Sequence, residues 1–243
     1  LILQSLFREK LFDIWKNLEN SCPAVLLMVD EAEVIEAVPG VLMFLREVFS
    51  RLGEEKCGYM LVLSGKLEFP EQMTEKFSPL ARFFHPIPLS NFSKQESAFL
   101  VKTKLNSTNI KADEPLLGKL YEESEGHPYV LVAMAYALYE NLPEKDNAIA
   151  LKHYDAIKPT ITSYLNIDYF GVMYKKLRPT GKLILTQMAK IGGEATFSYI
   201  IKSVNKNKGS ISPVILELVE QGSLVRLERG KYKIFHNLYK EYI

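Results

Sequence analysis

Cysteine is scarce in this chain of 243 residues: Cys22 and Cys57 are the two, flanking different apolar segments with no C-x-x-C spacing. That scarcity excludes a disulfide framework and a cysteine zinc site, and it fits a reducing cytoplasm. Long apolar runs are absent as well. The longest, Tyr129 to Tyr139, falls short of the roughly 20 residues that a membrane-spanning helix needs, and no charged leader with an apolar core opens the sequence. No membrane association is therefore expected. Internal repeats and low-complexity tracts are lacking too.

What the sequence does have is 47% apolar and 24% charged residues, enough to bury a sizeable core in one large domain or two to three smaller ones. The net charge of +1 conceals an asymmetry. Val172 to Ile243 holds thirteen Lys and Arg against five Asp and Glu, a balance of +8; the first 171 residues hold the remaining seventeen against twenty-four, a balance of −7. Two kinds of module are expected, meeting near Tyr169 to Pro179, where "KKLRPTGK" punctuates two helical patterns.

Periodicity orders the acidic part. "LQSLFREKLFDIWKNLEN" has helical spacing, "AVLLMV" is a continuous apolar strand, "VPGVLMFLREVFSRL" is helical, and "CGYMLVLSG" is a second apolar strand. Strands apolar on both faces and separated by helices predict a parallel sheet covered on both sides. Ligands of such sheets bind at the carboxyl ends of the strands, where Asp30, Glu31 and Ser64 fall. "ARFFHPIPLS" predicts a short strand edged by prolines. A capping box, Ser93 to Glu96, then opens a helix to about Leu105. Helices over about Asp113 to Glu125 and Pro128 to Glu140, split by "GHP", and a third from near Asn147 complete a small helical module.

The basic part reads as three helices, "PTGKLILTQMAKI", "SYIIKSVN" and "SISPVILELVEQG", the last with Ser212 as cap and Pro213 at its first position. "SLVRLERGKYKIFH" alternates around a turn at 228–231 and predicts a hairpin. Three helices and a hairpin make a winged helix.

The order of a strand ending in Asp-Glu, a strand ending in a small polar residue, a helical lid with Gly-x-Pro and a winged helix resembles the AAA+ and STAND ATPases. In particular it is similar to the archaeal ATPase family related to origin-recognition initiators. The resemblance covers nearly the whole chain, from the second half of the nucleotide domain onward. It implies an α/β fold with a partial P-loop NTPase-type parallel sheet in residues 1–89, a helical lid in residues 90–170 and a winged helix in residues 171–243. The implied ligands are ATP or ADP with Mg²⁺, and the implied activity is ATP hydrolysis driving a molecular switch, with homo-oligomers among the family's assemblies. The alternative is a non-catalytic DNA-binding or protein-interaction module on a vestigial ATPase fold.

Site residues follow by matching motifs. "LLMVDE" matches the Walker B pattern, in which Asp30 holds Mg²⁺ through water and Glu31 polarises the attacking water. The alternative is an acidic helix start in "DEAEVIE". Ser64 matches the first sensor, or is a plain turn. Arg82 sits where the family places an arginine facing phosphate or a neighbouring subunit, or is a surface residue. Gly126, His127 and Pro128 match the Gly-x-Pro that packs near adenine, or simply punctuate two helices. His236, in "FHNL", matches the Met-His-Asp histidine that reaches a phosphate of ADP, with Phe and Asn at the flanking positions; otherwise it caps the last helix or packs under the wing. His85 and His153 are isolated and read as structural or solvated, and no cluster suggests a metal besides magnesium.

One element of the family is missing. No G-x-x-x-x-G-K-[ST] occurs: the pairs Gly65-Lys66, Gly181-Lys182 and Gly230-Lys231 have neither a glycine five positions earlier nor Ser or Thr after the lysine. The expectation is that a strand and its phosphate loop belong upstream of Leu1. For the winged helix, Lys206, Lys208, Arg229 and Lys231 form a footprint for DNA phosphates without sequence preference. Glu217 and Glu220 on the presumed recognition helix oppose that, and packing on a protein partner stays open beside it.

Overall fold

The computed structural model describes residues 2–32, 34, 38, 40–65 and 80–243. The chain divides into two compact units, Leu1–Leu89 and Ser90–Ile243.

In the first unit, α1 (Ile2–Leu18) and α2 (Val41–Glu54) alternate along the chain with β1 (Val25–Val29) and β2 (Tyr59–Leu63), followed by a short α3 (Leu80–Phe83). The strands pair in parallel from Val25↔Tyr59 to Val29↔Leu63. Helical spacing places Leu11 and Trp15 of α1 beside Val48, Phe49 and Leu52 of α2, and this layer packs on Val25, Leu27, Tyr59 and Leu61. The strand approaches so closely that a Cβ on Gly58 would lie 2.5 Å from the Trp15 ring and 2.7 Å from the Pro23 carbonyl. The other sheet face leaves Leu26 51%, Met28 74% and Met60 59% exposed. Among the described residues the sheet is thus covered on one face, where the strand pattern predicts two. The strand expected in "ARFFHPIPLS" does not form. Instead α3 ends at Phe83 and 84–93 is irregular, since Pro86 and Pro88 withhold the N–H donors that a ladder needs. Of "DEAEVIE", Ala32 and Val34 are helical, while Glu33, Ile35 and Glu36, like Lys66, lie outside the described residues.

The second unit begins with α4 (Lys94–Leu105), β3 (Lys111–Ala112), α5 (Glu114–Ser124), α6 (Pro128–Glu140), β4 (Ala148–Ile149) and α7 (Leu151–Leu165). The capping box forms: the Ser93 N–H donates to Glu96 Oε2 at 2.8 Å and the Glu96 N–H to Ser93 Oγ at 3.3 Å. α7 starts later than predicted because Ala148 and Ile149 pair with Lys111 and Ala112. It runs without a break into a π turn (Asn166–Phe170) and α8 (Gly171–Lys176). Then come α9 (Pro179–Ala189), β5 (Glu194–Thr196), α10 (Phe197–Val204), α11 (Lys208–Glu220), the hairpin β6 (Leu224–Glu228) and β7 (Lys231–Ile234), and α12 (Asn237–Tyr242). The antiparallel sheet has the order β5-β7-β6. Ser212 does not cap α11, and Pro213 lies inside it. Asn207 Oδ1 accepts the Ser210 N–H at 2.9 Å and so starts the helix earlier. One core runs from Leu116 and Leu131 through Leu165 and Phe170 to Ile184, Ile215 and Tyr239, so the helical and basic modules share a single interior. No helix among the described residues is long and apolar enough to cross a membrane.

Candidate functional site

The carboxyl ends of β1 and β2 bring together residues far apart in sequence. Beyond the last strand pair, the Ser64 N–H donates to the Val29 carbonyl and the Ala32 N–H to the Ser64 carbonyl, each at 2.9 Å. This cross-strand closure fixes Asp30 against Ser64, whose hydroxyl donates to Asp30 Oδ1 at 2.6 Å. The Glu31 N–H donates to the same oxygen at 2.9 Å. These two donors, the hydroxyl first, hold the Asp30 carboxyl below its ordinary range, so it is ionised near neutrality. Glu31 has φ 51°, in the left-handed region, while Ala32 behind it is fully buried. An L-residue there costs roughly 1 kcal/mol, a local strain of the kind found at functional sites. Asp30, Glu31 and Ser64 are all exposed.

This donor set suits magnesium. An ionised carboxylate beside a second carboxylate offers hard oxygens, and no further His, Cys, Asp or Glu among the described residues closes the site into a cage. Mg²⁺ binds in that manner, through one or two carboxylates while keeping several waters. No phosphate cradle accompanies these groups in the sequence.

In the second unit, Glu125 and Gly126 both take left-handed backbone angles, at φ 49° and 69°. Gly126 lies against the main chain of Phe92, whose N–H donates to its carbonyl at 2.9 Å. His127 caps α6, and Pro128 occupies its first turn. The His127 ring lies 5.9 Å from Tyr169, 5.7 Å from Phe235 and 6.1 Å from His236, centroid to centroid. Burial, and secondarily His236, lower its pKa to about 4.

His236 is 1% exposed, and its tautomer follows from its partners. Nε2 meets the Ser124 carbonyl at 2.9 Å and so donates; Nδ1 accepts the Leu238 N–H at 3.1 Å. Both nitrogens are engaged within the protein, and the residue caps α12. Burial lowers its pKa as well, against the opposing pull of the Ser124 carbonyl. Sequence reasoning missed Glu125. Its carboxylate accepts the Asn237 N–H at 2.7 Å and pairs with Lys233 at 3.3 Å, linking the Gly-x-Pro turn to the last strand and helix.

The remaining candidates are scattered. Arg82 is exposed at the end of α3. Lys206 donates to Thr180 Oγ1 at 2.8 Å, and Lys231 pairs with Glu194 at 2.5 Å, which raises the Lys231 pKa. Lys208 and Arg229 are exposed. Glu217 is engaged by Arg178 at 3.3 Å, and Leu216 on the same helix is 59% exposed.

Comparison with known proteins agrees with this architecture. No family model matches the sequence. The chain is 24% identical over 229 residues to an uncharacterized HTH-type transcriptional regulator of Methanocaldococcus jannaschii; the match covers 89% of this chain and 53% of that protein, so the chain spans about half the length of this relative. Among solved structures, the Walker-type ATPase of Pyrococcus abyssi superposes with a TM-score of 0.65 at 19% identity, covering 100% of this chain and 68% of that one. The Holliday junction branch migration motor RuvB of Thermotoga maritima gives 0.52 at 18% identity, covering 89% and 68%. The chain carries the fold of the AAA+/P-loop ATPases.

Proposed function

We propose that this chain is the part of a nucleotide-dependent switch ATPase of the AAA+/STAND type that positions metal and water and transmits the nucleotide's state. The observation that carries the proposal is the 2.6 Å bond from Ser64 to Asp30, which joins the end of one parallel strand to the acidic end of the next. In this reading Asp30, kept ionised by its two donors, holds Mg²⁺ through water. The ion, when bound, neutralises charge on the phosphates. Glu31 orients the attacking water and accepts its proton. Ser64 fixes Asp30 and senses the phosphate end, and Arg82 faces phosphate or a neighbouring copy. Gly126, His127 and Pro128 take the role of the Gly-x-Pro turn that packs near adenine. No residue here is assigned to the phosphate cradle.

The basic module is read as a winged helix that couples nucleotide state to a partner. His236 acts in this reading by docking that module on the lid through the Ser124 carbonyl, because both of its nitrogens are occupied by protein. The exposed Leu216 and the paired Glu217 favour a protein partner. A second reading, sequence-independent DNA binding through Lys208 and Arg229 with Lys206 and Lys231, draws on the +8 balance of the module and on the helix-turn-helix name of the archaeal relative.

The test is ATP hydrolysis by the full-length protein. Glu31→Gln should retain Mg·ATP binding and lose turnover by about a hundredfold or more. Asp30→Ala should abolish the magnesium dependence of binding. Unchanged turnover in Glu31→Gln would remove Glu31 from this role.

A further inference from the structure

We propose that the helical module carries a second binding site, a cleft between α4, α5 and α6 that takes the alkyl chain of a medium-length aliphatic carboxylate. The cleft has a volume of about 200 Å³. Its floor is Leu116, Leu120 and Leu131, each at most 1% exposed. α6 carries the longest apolar run of the sequence, yet Val132 is 44%, Tyr136 57% and Tyr139 39% exposed beside this cleft. Water gains little there: a dry apolar void of about 150 Å³ accepts a benzene-sized guest, so this one accommodates a chain of roughly eight carbons.

The polar groups select the head of the ligand. Lys104, Thr108, Tyr136 and Tyr139 are the polar side chains that line the cleft, and no Asp or Glu joins them. Thr108 is already satisfied, donating to the Leu105 carbonyl at 2.8 Å and accepting the Ile110 N–H at 3.1 Å. The neighbouring Lys102 is paired with Glu114 at 2.6 Å. The Lys104 ammonium and the two phenol hydroxyls make no ion pair or hydrogen bond with another described residue. A hydrophobic cleft whose lining residues include an exposed cation and two phenols, with no anion, complements an apolar chain ending in an anion.

Calorimetric titration of the 243-residue chain, without nucleotide, tests this with butanoate, hexanoate, octanoate and decanoate below their micelle concentrations. Affinity should tighten about fourfold per added methylene and level off near eight carbons. Octylamine should bind at least about tenfold more weakly than octanoate. Lys104→Glu should invert that preference, and Ala135→Phe, which fills the cleft, should abolish binding while the circular dichroism stays unchanged. Absence of saturable binding overturns the proposal, as does equal affinity for octanoate and octylamine, or octanoate binding that survives Ala135→Phe. The site shares no residue with the Asp30–Ser64 cluster, so loss of ATPase activity in Glu31→Gln and failure of octanoate binding are separate outcomes.

Discussion

Replacing Gly126 by alanine would place a Cβ 2.0 Å from the Phe92 carbonyl oxygen and 3.0 Å from its carbon, main-chain atoms that no rotamer change can move aside. The φ of 69° adds roughly 1 kcal/mol for any residue with a Cβ. Relief requires separating the two segments. That breaks the 2.9 Å bond from the Phe92 N–H to the Gly126 carbonyl and disturbs the 3.1 Å bond from Asn91 Nδ2 to the Glu125 carbonyl. With about 1 kcal/mol for each net hydrogen bond, the expected destabilisation is about 3 kcal/mol. Gly118→Ala is the control. It lies within α5, where a Cβ meets only Lys94 at 3.9 Å, so alanine should stabilise by up to about 1 kcal/mol. Urea unfolding followed by circular dichroism measures both. Trp15, the single tryptophan, belongs to the first unit, and its fluorescence transition should stay in place in both variants. A Gly126→Ala variant within about 1 kcal/mol of the parent, or an equal loss in Gly118→Ala, would refute the steric account.

Three further outcomes are expected. Ser64→Ala removes the larger of the two influences on Asp30, so its carboxyl pKa should rise toward the ordinary range in a carbon-detected NMR titration; no movement would mean that the hydroxyl does not hold the carboxylate. His127 has a folded pKa of about 4 against 6.5 unfolded, so protonation favours the unfolded chain; its contribution is intact above about pH 6.5 and is lost as pH falls toward 4. Halving the full linkage for the ring's partial exposure leaves roughly 1.5 kcal/mol lost by pH 4, and urea midpoints of His127→Asn should be flatter over that window. If the second unit binds duplex DNA, Lys208→Ala and Arg229→Ala should each lower the slope of log affinity against log salt by about one, and an unchanged slope in both variants would leave the protein-partner reading standing.

Legibility in the sequence followed the range of the interactions. The capping box at Ser93 to Glu96 and the hairpin around Gly230 are set within a few residues, and local chemistry predicts them where they occur. The carboxyl ends of two apolar strands were legible too, because parallel pairing puts Asp30 and Ser64 side by side once their helices are placed. Nonlocal competition is harder to see. Ser212-Pro213 looks like a helix start, yet Asn207 captures the first turn sooner, and the resulting helix tolerates Pro213 inside. The short strand Ala148–Ile149 has no pattern of its own and exists because Lys111–Ala112 offers it an edge. "ARFFHPIPLS" shows the converse, an apolar stretch whose prolines cannot join a ladder.

The segment from Ser124 to Pro128 gathers the contacts through which a lid could speak to the module behind it. Ser124 gives its carbonyl to His236, Glu125 grips Lys233 and the Asn237 N–H, Gly126 seats against Phe92, and His127 packs on Phe235 and Tyr169. Four consecutive residues therefore touch the entry to α4, the π turn, the last strand and the final helix. Two of them hold left-handed backbone angles, so the segment has little freedom to deform gradually. A ligand that shifted Gly126 or His127 would have to move the Ser124 carbonyl and the Glu125 carboxylate with them, and these are the groups that fix His236 and Asn237. Such a segment favours a discrete change of module orientation over a graded one, because the buried bond from His236 to the Ser124 carbonyl is either met or lost. His236→Gln separates the two: its amide can still donate to Ser124, so that variant should keep the parent's orientation of the two modules, whereas His236→Ala should alter it. Equal small-angle scattering profiles for both variants and the parent would show that the shared core alone, and not this segment, sets the orientation.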